Sequence, residues 1–351
     1  MAEVRQAEQI GEGGRTGKAV ATPEAVKAFT SHYMERSTAK ASLSFFGTLA
    51  VYLGTLWAAL EAAWLWPLLI PLLVINSFAA VRLYVIQHDL GHWSHFRTRR
   101  QNDIAGYVAS TFTLTPYKAM QYNHNQHHAH IGNLEERDAT EIYTMTLAEW
   151  ERATFWQRLH YRLYRNPLIM LPIGGVWTFA LRYRWPKNAA RVGRSGILAH
   201  DVAVLAWLGL IALGYGWTGL GVYGLTVLIS GSIGVFLVYL QHNFEDTYWD
   251  RKPDLDYTRA TLQGSSALDL GWWWDLGTGN IAYHDIHHFN PRIPLYNLRR
   301  CHRALREEMN VRTIEWPEAL RAFRLKLWDE EQGRLVPFPA REPSPSALPA
   351  E

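Results

Sequence analysis

Charge disappears from the chain in two long stretches. From Leu43 to Val81 there is no Lys or Arg, and the one acid is Glu61. From Ser195 to Asp250 there is again no Lys or Arg; the acids are Asp201 near its start and Glu245, Asp246 and Asp250 near its end. Hydrocarbon solvates charge poorly, and a helix needs about 20 apolar residues to cross it. Each stretch has room for two crossings with a tight turn between. The pattern predicts four transmembrane helices, at about 42–60, 64–86, 197–215 and 219–240. The first turn falls at Glu61-Ala62-Ala63. The second falls at Gly214-Tyr215-Gly216-Trp217, where glycine breaks the helix. Trp64, Trp66 and Trp217 are placed as interfacial anchors.

All 35 basic residues lie outside these stretches. The predicted turns carry none of them, whereas the N-terminal segment, the stretch between the two hairpins and the C-terminal segment carry essentially all. Positive charge stays on the cytoplasmic side. Both hairpins are therefore expected to dip in from the cytoplasm, in a multi-pass arrangement suited to a bacterial inner membrane. The competing explanation is a buried hydrophobic hairpin in a soluble protein. Two such charge-free stretches in one chain favour the membrane.

The remainder divides simply. Residues 1–25 are polar and Gly-rich and read as a flexible segment without the apolar core of a signal peptide. Residues 26–332 read as one membrane domain, in which 93–196 and 243–332 form a cytoplasmic helical cap. Leu168–Leu181 is apolar but short for a span, and Pro172 with Gly174-Gly175 interrupts it. It reads as an interfacial segment, flanked by Arg182-Tyr183-Arg184-Trp185. Residues 333–351 read as a disordered Pro-rich tail. The fold class expected is an all-α membrane protein.

Composition narrows the chemistry. The net charge of +3 is too small, and its basic residues too scattered, to imply nucleic acid. The single cysteine, Cys301, excludes an intrachain disulfide and a thiolate cage, so any transition metal must be held by nitrogen and oxygen.

Nitrogen is plentiful. Of 15 histidines, nine fall into a pattern. His88 and His92 form an HxxxH box at the cytoplasmic end of the second predicted span. His124, His127 and His128 form an HxxHH box, and His284, His287 and His288 a second one. His242 stands just past the fourth predicted span. Residues at i, i+3 and i+4 share a helix face, so three such faces can converge on one small volume. Nine imidazoles are too many for one ion and suit two. A structural zinc site closes with four ligands and would leave most of them unused. Breaking an unactivated C–H bond is the work of iron or copper with dioxygen, and two irons are the expected occupants. One HxxxH arises often by chance; two HxxHH boxes with it, all on one predicted membrane side, do not.

His32, His160, His200 and His302 read as surface or packing residues. His95, seven residues after His88, and His130, just after the second box, are candidates for a ligand or a supporting group. Ligating histidines commonly donate their other N–H to a carboxylate or carbonyl. Asp89, Asn125, Asp138, Asn243, Asp246 and Asp285, with His95, are the candidates for that role.

The order HDxxH, HxxHH, HxxHH resembles the membrane fatty acid desaturases. Gln241-His242-Asn243-Phe244-Glu245-Asp246-Thr247-Tyr248-Trp249 and His287-His288-Phe289-Asn290-Pro291-Arg292-Ile293-Pro294-Leu295-Tyr296-Asn297-Leu298 resemble the Δ12 or ω-6 acyl-lipid type, and the resemblance covers about residues 40–310. It implies four transmembrane helices under a cytoplasmic cap, with a di-iron centre at their junction. It implies His88, His92, His124, His127, His128, His284, His287 and His288 as ligands, with a further one where His242 stands. It also implies dioxygen as co-substrate, a membrane lipid or acyl-carrier substrate, and an external electron donor, ferredoxin or cytochrome b5-like. Two other functions compete. A hydroxylase of lipid, alkane or carotenoid would share the iron and dioxygen. A histidine-rich membrane metal transporter would place its histidines inside the spans, whereas these lie at span ends and beyond.

Overall fold

The computed structural model describes residues 22–139, 142–308 and 312–340, and these are mostly helical. The chain begins with α1 (Pro23–Ser31), capped by the Thr22 hydroxyl, so helix starts inside the stretch read as a flexible N-terminal segment. Residues 1–21 lie outside the described residues. Ser37 caps α2 (Thr38–Glu61), and Pro67 opens α3 (Trp66–Gly91) where its missing N–H costs nothing. Then come α4 (Arg99–Thr113) and α5 (Tyr117–Ala129). A short strand β1 (Met145–Thr146) leads into α6 (Leu147–Arg152), α7 (Phe155–Tyr164) and α8 (Pro167–Val176). A π-helical turn (Trp177–Leu181) and the short α9 (Pro186–Ala189) lead to α10 (Arg194–His242).

Among the described residues three helices are long and apolar enough to cross a membrane: α2, α3 and α10. The last has 49 residues, far more than the roughly 20 that one crossing needs. It breaks at Gly216, whose φ of 58° and ψ of −148° suit glycine. The Trp207 ring lies 6.4 Å from that of Tyr223, whereas a straight helix would separate residues sixteen apart by about 24 Å. The arms on either side of Gly216 therefore lie side by side. In the same way α2 and α3 pack together, with Asn76 donating to the Tyr52 carbonyl at 2.6 Å and the Thr55 hydroxyl at 2.9 Å. Glu61 accepts from the Tyr215 hydroxyl at 2.6 Å, bringing the end of α2 to the bend of α10. Large apolar side chains stand outward along these helices; Leu213 is 87% and Trp217 88% exposed. An apolar surface of this kind marks contact with lipid or another protein.

The segment read as interfacial is α8 with its π-turn. Gly175 meets Gly231 of α10 backbone to backbone, so close that a Cβ on Gly175 would fall 2.4 Å from the Gly231 carbonyl carbon. The rest of the chain comprises α11 (Tyr257–Gln263), β2 (Ala267–Leu268), α12 (Trp272–Gly277), α13 (His284–Phe289), α14 (Leu295–Glu308), β3 (Thr313–Ile314), α15 (Trp316–Ala322), β4 (Leu327–Asp329) and β5 (Arg334–Val336).

The described residues are thus not all α. β1 pairs parallel with β4, which pairs antiparallel with β5, and β2 pairs parallel with β3. Strands of two or three residues leave no alternation long enough to read. β5 lies inside the stretch assigned to a disordered tail, tied by the Leu335 amide to the Glu245 carbonyl at 2.9 Å; residues 341–351 lie outside the described residues.

Candidate metal centre

Four elements deliver histidines to one buried volume. The last turn of α3 supplies His88, and His92 caps that helix. From α5 come His124, His127 and His128; α10 ends on His242; α13 is little more than one turn carrying His284, His287 and His288. The structure brings all nine together and sorts them into two groups. His88, His92, His124, His128 and His287 form one; His127, His242, His284 and His288 form the other. Within each group one nitrogen per residue lies within 4.8 Å of the others.

The ring nitrogens face each other in a way that hydrogen bonding alone does not satisfy. His128 Nε2 lies 2.8 Å from His124 Nε2. His288 Nε2 lies 3.2 Å from that of His127 and 3.0 Å from that of His284. A neutral imidazole has one N–H and one lone pair, so three nitrogens crowded on one point cannot all be paired. Both nitrogens of His88, and Nε2 of His92 and of His287, are buried without a hydrogen-bond partner. Cations would accept these lone pairs, and an all-imidazole donor set suits iron, copper, zinc or nickel. Nine-fold imidazole crowding therefore fits a pair of metal ions.

Electrostatics prepare the same state. Burial disfavours imidazolium, holding His92 down at about 4 and His127 at about 3. His124, His128, His284, His287 and His288 lie well below the ordinary range, again through burial first and then through mutual repulsion. Neutral imidazoles are the form that binds metal, so protons do not compete near neutrality.

Residues 62–317 match the fatty acid desaturase family. The chain belongs to that family. It is 37% identical over 286 residues to a fatty acid desaturase of Bacillus subtilis, covering 81% of each chain. It is 25% identical to an sn-1 oleoyl-lipid 12-desaturase of Synechocystis, covering 83% of this chain and 84% of that one. An sn-1 acyl-lipid omega-3 desaturase (ferredoxin) of the same organism is 26% identical over 64% of this chain and 63% of its own.

Within the desaturase, the polar candidates near the boxes go elsewhere. His95 is in neither group. It is fully buried, with Nδ1 2.9 Å from Asp89 and Nε2 3.2 Å from the Ala41 carbonyl of α2. Asp89 accepts from His95, from the Ser94 hydroxyl and from the Leu295 amide at 3.3 Å, so it ties the end of α3 to the start of α14. Asn243 turns away from the histidines to Arg165 and the Ala322 carbonyl. Asp246 is half-exposed and pairs with Arg312 at 2.8 Å. Asp285 is buried and accepts from the Ile286 amide at 2.7 Å; burial raises its carboxyl to about 7. Asn125 is exposed, and the side chain of Asp138 lies outside the described residues. His130 bonds the Gln126 carbonyl of its own helix at 2.8 Å. His32 and His160 are exposed; His200 bonds the Ser110 carbonyl at 2.9 Å; His302 stacks on Tyr283 at 4.5 Å.

One supporting contact has no signal in the sequence. His242 Nδ1 lies 3.1 Å from the Gly264 carbonyl. As the donor to that carbonyl, Nδ1 leaves Nε2 to face the group. A backbone carbonyl carries no residue signature. A cavity beside the clusters is lined by His88, His124, His127, His242 and His284 together with Val81, Tyr84, Val85, Phe179, Leu237 and Ile281. Apart from the histidines, Tyr84, Thr178 and Gln241 its lining is apolar, as suits hydrocarbon.

Proposed function

We propose that this desaturase is an integral membrane enzyme that removes two hydrogens from an unactivated methylene pair of a fatty acyl chain. Two irons held by His88, His92, His124, His128 and His287 on one side, and by His127, His242, His284 and His288 on the other, are the proposed occupants. The observation that carries the reading is the division of nine histidines into two groups that share no member, opening on an apolar cavity. Iron bound there would supply the oxidising power that no acid–base side chain has for an unactivated C–H bond. The balance is one dioxygen, two electrons and two protons consumed with two substrate hydrogens, giving one alkene and two waters.

The chain's own residues do the rest. Val81, Val85, Leu237 and Ile281 hold the acyl chain by burying its methylenes. The same wall keeps bulk water from the reacting carbons. The distribution of charge supports four spans arranged as two hairpins, at about 42–60, 64–86, 197–215 and 219–240, with the boxes on the cytoplasmic side. The proposed substrate is an oleoyl chain on a membrane lipid, desaturated at the Δ12 or ω-6 position. The name of the Synechocystis 12-desaturase and the His287–Leu298 run support that choice. Electrons are proposed to come from a separate ferredoxin or cytochrome b5-like protein; the ferredoxin in the name of the second Synechocystis relative favours the former.

Expression with a ferredoxin in a host that makes oleate tests the reading. A diene two hydrogens lighter than oleate, absent from a His284→Ala control, is expected. A product one oxygen heavier, with no diene, would replace desaturation by hydroxylation.

A further inference from the structure

We propose that Phe179 is a movable partition in the acyl channel, and that it sets how far the methyl end of the substrate runs beyond the histidines. This deepens the desaturase reading and rests on it.

Two cavities meet at this residue. One is the histidine-lined cavity described above. The other lies deeper among the long helices, bounded by Tyr52, Phe112, Leu114, Thr226, Ser230 and Gly231. They share Val81, Tyr84, Phe179 and Gly234, so they have a wall in common. The Phe179 ring is wedged across that wall. On one side it meets Tyr84 edge-on, with ring centroids 4.6 Å apart at 78°. On the other it occupies space that only a glycine leaves: a Cβ on Gly234 would fall 2.5 Å from its Cζ.

The backbone around the ring is pinned while the ring is not. Gly175 is locked against Gly231, and the Phe179 carbonyl accepts from the Thr115 hydroxyl at 2.8 Å. Between them runs the π-turn Trp177–Leu181, a geometry that recurs at functional sites. A phenyl ring has no hydrogen bond to lose on turning. What it gives up is its edge-on contact with Tyr84 and its packing on Gly234, which the burial of two or three methylenes offsets. An entering chain can therefore move it.

The consequence concerns where the double bond forms. With the ring in place, the channel ends at Phe179 and few carbons lie beyond the histidines. With the ring turned aside, the channel continues to Thr226 and Ser230, and a longer methyl end fits. A longer methyl end places the reacting carbons further from the terminus. Phe179 thus determines both the chain lengths accepted and the position of the alkene counted from the methyl end.

The test uses the full-length enzyme with its donor in a host supplied with acyl chains of graded length. Double-bond positions are mapped by mass spectrometry of disulfide adducts. Phe179→Ala is expected to raise, several-fold, the share of product whose alkene lies further from the methyl end, and to admit longer chains. Adding Ser230→Leu refills the deeper cavity and should return the profile towards wild type. In the metal-free protein, thermal stabilisation by acyl lipids should extend to longer chains in Phe179→Ala. Should that variant not accumulate, Phe179→Leu is expected to shift the profile in the same direction by a smaller amount. An active Phe179→Ala or Phe179→Leu enzyme with unchanged positions and chain lengths would overturn the proposal, as would a shift that Ser230→Leu does not reverse. A wild-type enzyme that desaturates no acyl chain would instead overturn the reading on which it rests.

Discussion

His127 and His128 are consecutive in the chain and belong to different histidine groups. Their rings stand 5.9 Å apart, 76° from coplanar. Neighbours on a helix point about 100° apart, whereas residues at i and i+4 nearly overlie. His124 and His128 therefore reach one group together while His127 reaches the other. The third box divides the same way, His287 to the first group and His284 with His288 to the second. An HxxHH box on a helix is thus a bridge between two sites, and two such boxes facing each other suffice to define a pair.

That division predicts separable metal loss. His128→Ala leaves its group with four histidines, and His127→Ala leaves its group with three. His127→Ala should lower the metal content per chain by about half, and His128→Ala by less, since three remaining imidazoles hold an ion less well than four. Both should abolish turnover. Metal analysis of purified protein, normalised to chain concentration, decides this. Equal and complete loss from either variant would mean a single cooperative site.

The sequence carries much of this architecture, for physical reasons that also mark where it falls silent. Missing charge locates α2, α3 and α10, because hydrocarbon tolerates none, and Gly216 marks the break because few other residues adopt its conformation. Histidine spacing brings the boxes to one place, because helical periodicity fixes which side chains share a face. The polar residues beside the boxes are misplaced by the same periodicity. Asn243 follows His242 directly and so points away, to Arg165. Asp89 follows His88 and points to His95. Contacts made by backbone, such as Gly264 to His242, leave no trace in residue identity. Nor does the π-turn that presents Phe179, which hides in an apolar run already interrupted by Pro172.

His95 should prove a fastener. Its two ring nitrogens hold Asp89 and the Ala41 carbonyl, joining α2, α3 and α14. His95→Phe removes one hydrogen bond from each of two buried acceptors, while Asp89 keeps Ser94 and Leu295, at a cost of about 1–3 kcal/mol. The expected outcome is a lower unfolding temperature in detergent with metal content unchanged below it. Metal loss at unchanged stability would make His95 a ligand after all.

His302 predicts acid sensitivity. Burial holds its imidazole down at about 4, with Arg306 and Arg303 opposing its charge and Asp269 favouring it. The folded value lies below the unfolded value of about 6.5, so the unfolded state binds the proton first as pH falls. Stability is complete above about 6.5 and is lost as pH drops towards 4. His302→Phe keeps the stack on Tyr283 and removes the titration. Relative to wild type it should gain about 1–3 kcal/mol between pH 6.5 and 4, the upper figure being the full shift. Parallel curves across that range would show that His302 does not titrate on unfolding.

The contact between Glu61 and Tyr215 fixes which helix ends lie together. These residues lie at the end of α2 and at the bend of α10, so both tips are on one side of the bundle. His88 and His242, at the far ends of α3 and α10, are on the other. The turns carry no Lys or Arg, and the segments next to the histidines carry nearly all of them, which predicts that the tips face outward. Trp64 and Trp217 are 81% and 88% exposed, so a cysteine at either disturbs little packing. The native Cys301 is buried and is first replaced by alanine. In intact cells an impermeant thiol reagent should modify Trp64→Cys and Trp217→Cys. It should leave the exposed position of His160→Cys unmodified until the membrane is opened. Labelling of His160→Cys in intact cells, with both tips protected, would invert the orientation. Labelling of one tip alone would break the pairing of the hairpins, because the Glu61–Tyr215 contact requires both on the same side.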